Sequence, residues 1–318
     1  MDNSVLTLKR YSTNFISFPT LILFFLGNSF ILTAFYLRLI LEYSALITIP
    51  ISVFATYLLF PVIHDGSHQS ISSNTNINEI ISYISGVPFF FAPFPTWRFI
   101  HLRHHRYTNI KDKDPDYYVG GGVTNNTELV FRWITHVCQY YYYFFKEVYN
   151  IIKKNIRKNF IKDDNCNLQI NSLYNFSNEN SVKTGAKVLL ITSLSIILNL
   201  VILYLSYRHH FFYDALILWV IPGAIGIIIL SILFDYLPHR FYEDSLESSK
   251  YKTTKMTHGI FSTNGKINKY LAFITCNQLT YHNIHHLYPK YPFYVYGRVW
   301  EKYKDVLLEK GTEVQSVF

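Results

Sequence analysis

Four runs of about twenty mostly apolar residues dominate this chain, and they restrict its folds more than any other feature. They extend from about Phe18 to Ile40, Ser44 to Ile63, Ala186 to Ser206 and Asp214 to Phe234. A hydrocarbon core about 30 Å thick takes roughly 20 residues of helix, the length of each run. Backbone polar groups in lipid must be satisfied within the segment, so each run predicts a transmembrane helix and the chain an all-α integral membrane protein. A fifth apolar stretch, Ile80 to Pro95, contains Gly86, Pro88, Pro93 and Pro95, and reads as a re-entrant or interfacial hairpin because proline interrupts the helical ladder. Short connections after the first and third runs predict two antiparallel hairpins.

Charge orients these spans. Residues 97–185 carry 13 Lys and Arg, residues 240–318 carry 11, and Lys9 and Arg10 precede the first run. Only Arg38 and Arg208 flank the two short loops of the other side. The positive-inside rule therefore puts both termini, and a cap formed by residues 64–185 and 235–318, on the cytosolic side. With no small-residue cleavage site after it, the first run reads as a retained span within a single domain covering 1–318. The net charge of +8 belongs to this asymmetry rather than to nucleic-acid binding. It also offers a surface for anionic headgroups or an acidic electron-transfer protein. Cys138, Cys166 and Cys276 are far apart, which argues against a disulfide framework and suits a reducing compartment. The Asn-x-Ser/Thr triplets at Asn125 and Asn175 fall on the unglycosylated side. The string from Gln139 to Tyr149, QYYYYFFKEVY, reads as an interfacial aromatic belt rather than a substrate wall.

The chemistry is carried by histidine. Of 13 histidines, eight form three clusters: His64 with His68, His101 with His104 and His105, and His282 with His285 and His286. Separations of three and four residues put these side chains on one face of a helix. Eight buried imidazoles without partners would leave up to sixteen ring nitrogens short of hydrogen bonds, at roughly 1–3 kcal/mol each. Metal coordination removes that cost, and eight ligands exceed what one tetrahedral or octahedral ion accepts, so two ions are implied. An even number of spans separates the clusters, so all three meet on one side of the membrane. Asp235 and His239, four apart at the end of the fourth run, supply a further candidate ligand and a polar companion. His136 and His258 read as structural, with His258 a reserve ligand, while His209 and His210 lie at the far side. Asp112, Asp114 and Asp116 read equally as a solvated turn around Pro115 or as supplying one carboxylate that orients a ligand imidazole, whereas Asp65, between two ligands, reads as the orienting kind.

These boxes resemble the membrane fatty acid desaturase and hydroxylase superfamily, from about Ile63 to Arg298. HDGSH, HLRHHRYTNIKDKDPD, FDYLPHR and YHNIHHLYPKYPFY are most similar to the cyanobacterial-type β-carotene hydroxylases. Leu279 and Thr280 before Tyr281, and the Lys/Asn-rich segment 150–185, depart from that pattern. The resemblance implies that His64, His68, His101, His104, His105, His239, His282, His285 and His286 hold two irons. It also implies that Asp235 binds a metal through water, and that dioxygen is the co-substrate. With no fused cytochrome b5 motif, it implies electrons from a separate ferredoxin or cytochrome b5. The substrate is then lipid-soluble: β-carotene, hydroxylated to zeaxanthin, as the leading expectation, with an acyl-lipid desaturase or hydroxylase as the alternative. A membrane metal transporter or sensor is disfavoured because the clusters lie outside the spans. A zinc protease is disfavoured because the chain has no His-Glu-x-x-His.

Overall fold

The computed structural model describes residues 15–160, 179–239, 250–254, 256–257 and 280–315. His258, Cys166, Cys276 and Asn175 lie outside these residues. Four helices are long and apolar enough to cross a membrane: Phe18–Leu39 (α1), Ala45–Ser67 (α2), the stretch Lys187–Arg208 of helix Glu179–Arg208 (α6), and Phe212–Tyr236 (α7). Between α2 and α6 come Thr75–Gly86 (α3), Phe94–Tyr107 (α4), a 3-10 turn at Pro115–Val119, and the long helix Asn126–Phe160 (α5). His282–Leu287 (α8) and Tyr296–Glu309 (α9) complete the described helices. Extended pairing among the described residues is confined to Met256–Thr257 against Val314–Gln315 and one bridge, Ile16 to Ser72.

The helices begin and end where local chemistry dictates. Ser17 caps α1, its hydroxyl accepting the Thr20 amide at 3.4 Å, and the helix starts within two residues of Pro19. α2 runs four residues past the expected end at Ile63, so the first histidine box occupies its last turn, with His68 as C-cap. α7 is helical throughout but contains two π-turns, Leu216–Val220 and Ser231–Tyr236. Such turns insert a residue into the ladder and re-aim the side chains beyond it.

Close approach of α7 to its neighbours needs small residues. A Cβ on Gly226 would lie 2.5 Å from Thr56 Oγ1 of α2, and one on Gly223 would lie 2.7 Å from the Pro88 carbonyl oxygen. The α3–α4 connection, the proline-rich stretch of the sequence, is pressed against the spans and not helical between Val87 and Pro93. Its carbonyls are satisfied by side chains from elsewhere. Trp219 Nε1–H donates to Val87 O at 2.7 Å, Asn199 Nδ2–H to Phe90 O at 3.1 Å, and Tyr141 O–H to Phe91 O at 2.8 Å. Irregular backbone persists beside apolar helices only when protein groups replace water in this way. At the end away from the histidine boxes, Arg38 Nε pairs with Asp214 Oδ1 at 2.6 Å, joining α1 to α7.

The main core joins α2, α4, α5 and α7 through Leu59, Phe60, Ile63, Trp97, Ile100, Phe144 and Phe234. A second core, around Tyr281, Ile284, Tyr296 and Trp300, locks α8 to α9.

Candidate metal centre

Each histidine box is set by an element end. On α2, His64 and His68 stand one turn apart, both buried. On α4, His101, His104 and His105 project from the last turns before the helix stops at Thr108, whose ψ is 122°. Asn109 follows in the left-handed region at φ 60°, a conformation asparagine tolerates at a helix end. On α8, His282, His285 and His286 form a six-residue helix held by Asn283, whose amide donates to the Tyr251 and Thr254 carbonyls at 3.0 and 3.1 Å. His239 comes just after the second π-turn of α7.

These nine imidazoles converge. His64, His68, His101 and His285 bring one ring nitrogen each within 4.8 Å of one another, and so do His104, His239, His282 and His286. His105 joins the two sets, since it offers a ring nitrogen within 4.8 Å of those of both His285 in the first and His286 in the second, with Nε2 at 2.7 Å from His285 Nε2. Within the sets, Nε2 faces Nε2 at 3.0 Å for His64 and His285, 2.9 Å for His68 and His101, and 3.0 Å for His239 and His282.

The opposite ring nitrogens explain this convergence. His104 Nδ1–H donates to Asp114 Oδ1 at 2.8 Å, and His285 Nδ1–H to Tyr296 Oη at 2.9 Å. His239 Nδ1–H donates to Asn109 Oδ1 at 3.1 Å, an amide oriented by its own donation to Thr253 O at 2.8 Å. Thr108 spends its hydroxyl proton on His104 O at 3.0 Å, so its oxygen accepts from His286 Nδ1 at 3.3 Å. A proton fixed on Nδ1 leaves the Nε2 lone pair aimed into the cluster, which is the tautomer a metal ion requires. Burial, the largest cause, together with neighbouring imidazoles, holds His68, His101, His105, His239, His285 and His286 well below the ordinary histidine pKa. They are therefore neutral donors at pH 7. His104 is different. Burial lowers it, but the Asp114 and Asp116 carboxylates outweigh burial and raise it to about 9. This donor set, all nitrogen and arranged as two fours with a shared ninth, fits two transition-metal ions.

The carboxylates divide. Asp114 is the hub of the turn after α4, accepting the amides of Asn109 at 2.7 Å and Asp116 at 2.9 Å besides His104. Asp65 accepts from Thr20 Oγ1 at 2.8 Å and lies 3.8 Å from His64 Nδ1. Asp235 joins neither set of four histidines. It groups instead with Asp116 and His136, whose Nδ1 is 3.6 Å from Asp235 Oδ2 and whose Nε2 is 3.4 Å from Asp116 Oδ1. The reason is the π-turn, which places Asp235 over a cavity rather than over the histidines. Asp112 is exposed with φ 64°, and His209 and His210 are exposed beyond the end of α6. Sequence reasoning missed Thr108, Asn109 and Tyr296. Asn109 carried one signal, an asparagine directly after a helical histidine box; Tyr296 carried none.

An apolar cavity lies against the cluster, lined by Phe60, Phe89, Trp97, Ile227 and Leu230, with Tyr140, Ser231 and Asp235 as its polar part. Trp97 stacks on His101 at 4.6 Å and Phe60 packs on His64 at 5.8 Å, so two cavity walls are also the backing of two imidazoles. Of the aromatic string Gln139 to Tyr149, Tyr140 reaches this cavity, while Tyr142, Phe145 and Tyr149 are exposed.

Comparison with known proteins agrees with this geometry. The family model described as fatty acid desaturase matches residues 41–318. An sn-1 oleoyl-lipid 12-desaturase of Picosynechococcus sp. is 38% identical over 55 residues, 17% of this chain and 16% of that protein. The omega-3 fatty acid desaturase fat-1 of Caenorhabditis elegans is 45% identical over 58 residues, 18% of this chain and 14% of that protein. An sn-1 acyl-lipid omega-3 desaturase (ferredoxin) of Nostoc sp. is 37% identical over 62 residues, 20% of this chain and 17% of that protein. Each alignment thus spans less than a fifth of the relative's length.

Proposed function

The chain belongs to the fatty acid desaturase family, and from that premise we propose that it is a di-iron, dioxygen-dependent acyl-lipid desaturase. The observation that carries this reading is the convergence of nine imidazole nitrogens, four, four and one, beside an apolar cavity. The reading replaces β-carotene as the leading substrate, because the three relatives are all named as desaturases. The strings that favour a carotenoid contain the histidine boxes shared by the whole superfamily, and Asp114 within them is engaged by His104.

In this proposal His64, His68, His101 and His285 hold one iron, His104, His239, His282 and His286 the other, and His105 stands between them. The bound iron pair would supply the oxidising power to remove two hydrogens from a saturated carbon pair, and those two hydrogens, together with dioxygen, two electrons from a carrier and two protons, would leave as two waters. The residues of the chain have four tasks. Asp114, Asn109, Tyr296 and Thr108 keep Nδ1 protonated and Nε2 free. Phe60 and Trp97 back the imidazoles of His64 and His101 with apolar rings and exclude water there, which protects a reactive site from side reactions. Ser231 and Asp235 mark the polar end of the same cavity. His136, between two carboxylates, keeps Asp116 and Asp235 in place.

Electrons come from a separate carrier, by analogy with the Nostoc relative, whose name specifies ferredoxin. The four spans form two hairpins, with both termini and the histidine cap on the cytosolic side, in one domain. Expression in a host that makes both saturated acyl lipids and β-carotene tests the reading. New double bonds in membrane acyl chains are expected, with about two irons per purified chain. Unchanged acyl chains with new hydroxylated carotenoids would return the substrate to β-carotene.

A further inference from the structure

The long helix α5 carries two apolar faces, and only one of them has a protein partner. His136, Tyr140, Phe144 and Val148 point into the core. On the opposite face Phe131, Ile134, Cys138, Tyr142, Phe145 and Tyr149 succeed one another at intervals of three and four residues. The five large side chains of this stripe are each more than half exposed, and Cys138 is an exposed free thiol. A soluble helix would place polar residues there.

Three observations identify what covers the stripe. First, α5 sits at the level of a span end. Tyr140, Tyr143, Phe144 and Val148 pack in a cluster with Val188 and Leu189, the first residues after Lys187 in the third apolar span. Second, the flanks carry cations beside aromatic rings, with Lys146 Nζ 5.4 Å from the Tyr142 ring centre and Lys153 Nζ 5.7 Å from that of Tyr149. Ammonium groups held over the faces of aromatic rings suit the boundary between acyl chains and headgroups, where both charge and ring find a favourable partner. Third, the helix holds six basic residues, Arg132, Lys146, Lys153, Lys154, Arg157 and Lys158, against two acidic ones, Glu128 and Glu147. Five of the six lie in its second half.

We propose that α5 lies in the plane of the membrane surface, with the Phe131–Tyr149 stripe immersed among acyl chains and its lysines on anionic phospholipid headgroups. Apolar burial supplies the attraction common to all lipids, and the basic second half adds a preference for negative ones. A soluble acidic partner would meet rings rather than charges on this face. The proposal is independent of the chemistry at the histidines.

Cys138 provides the probe. The full-length protein, with Cys166→Ser and Cys276→Ser, is labelled at Cys138 with an environment-sensitive dye and placed in nanodiscs of phosphatidylcholine alone or mixed with phosphatidylglycerol. The expected result is a blue-shifted emission, protection from aqueous acrylamide, and quenching by lipids brominated on the acyl chain. The shift should be larger in the anionic discs, and Lys146→Glu with Lys153→Glu should abolish that increment while leaving the protein folded by thermal melt. Acrylamide quenching equal to that of a free dye–cysteine adduct would overturn immersion. Protection found only in discs with two chains would assign the stripe to a second copy instead. An identical shift in both lipids, unmoved by the charge reversals, would overturn the anionic preference.

Discussion

His104 is the imidazole of the cluster whose surroundings differ most from the rest, because two carboxylates face its Nδ1 side, Asp114 at 2.8 Å and Asp116 at 3.3 Å. With its pKa raised from 6.5 to about 9, it holds a proton at neutral pH that a metal ion must displace. Metal loading is therefore expected to release one proton from this residue below about pH 9. Affinity should rise by about tenfold per pH unit through the neutral range and level off above that value, as a pH series of metal titrations would show. In the metal-free protein the sign is opposite. A raised folded pKa contributes stability in full below pH 6.5, and that contribution disappears as pH rises through about 9. Asp114→Asn keeps the shape of the turn but weakens the acceptor, so metal affinity measured above about pH 9, where no proton competes at His104, should fall by about 10- to 100-fold in competition with a chelator. His104→Ala or His285→Ala should abolish both metal retention and lipid desaturation. His209→Ala, exposed beyond α6, should change neither.

Among the helices, α7 is the piece on which the site depends, since it backs the cavity and delivers His239. Its packing against the α3–α4 connection leaves no room for a side chain at Gly223, where a Cβ would meet a backbone oxygen. Gly223→Ala is expected to cost about 1–3 kcal/mol through overpacking, seen as a lower melting temperature in detergent. The connection itself reads in the sequence as a break, from its prolines. What holds it, the donors Trp219, Asn199 and Tyr141, comes from three different helices and has no local signature. The helix limits of the four spans were legible to within about two residues, except at the start of α6, which begins at Glu179 rather than Ala186, and at the end of α2. There the helical ladder simply continued through Asp65 and Gly66, because Asp65 finds Thr20 of α1 as a partner and has no need to end the helix.

Across the protein, the histidines tie together stretches that lie far apart in the chain. His64 and His285 are 221 positions apart, and His104 and His286 are 182 apart. Iron in both sites would cross-link α2, α4, α8 and the end of α7, so removal by a strong chelator should lower the melting temperature and expose the region around α8 to protease. Binding energy of a ligand adds to the stability of the state that binds it, by about 4.1 kcal/mol at a thousand times Kd. A melting temperature unmoved by metal removal would contradict a metal that bridges these elements.

The order of residues alone was enough for the membrane helices, because lipid demands long apolar runs, and for the identity of the imidazoles, because their spacing repeats one helical turn. It also carried the family, through boxes that persist in a chain matched from 41 to 318. Folding in three dimensions was needed to divide nine histidines into two sets, to choose the oxygen that holds each tautomer, and to turn Asp235 away toward His136. Those outcomes depend on contacts between residues distant in the chain and on one extra residue in a π-turn. Neither leaves a periodic trace, since periodicity records which face of an element is buried and not what waits on the other side.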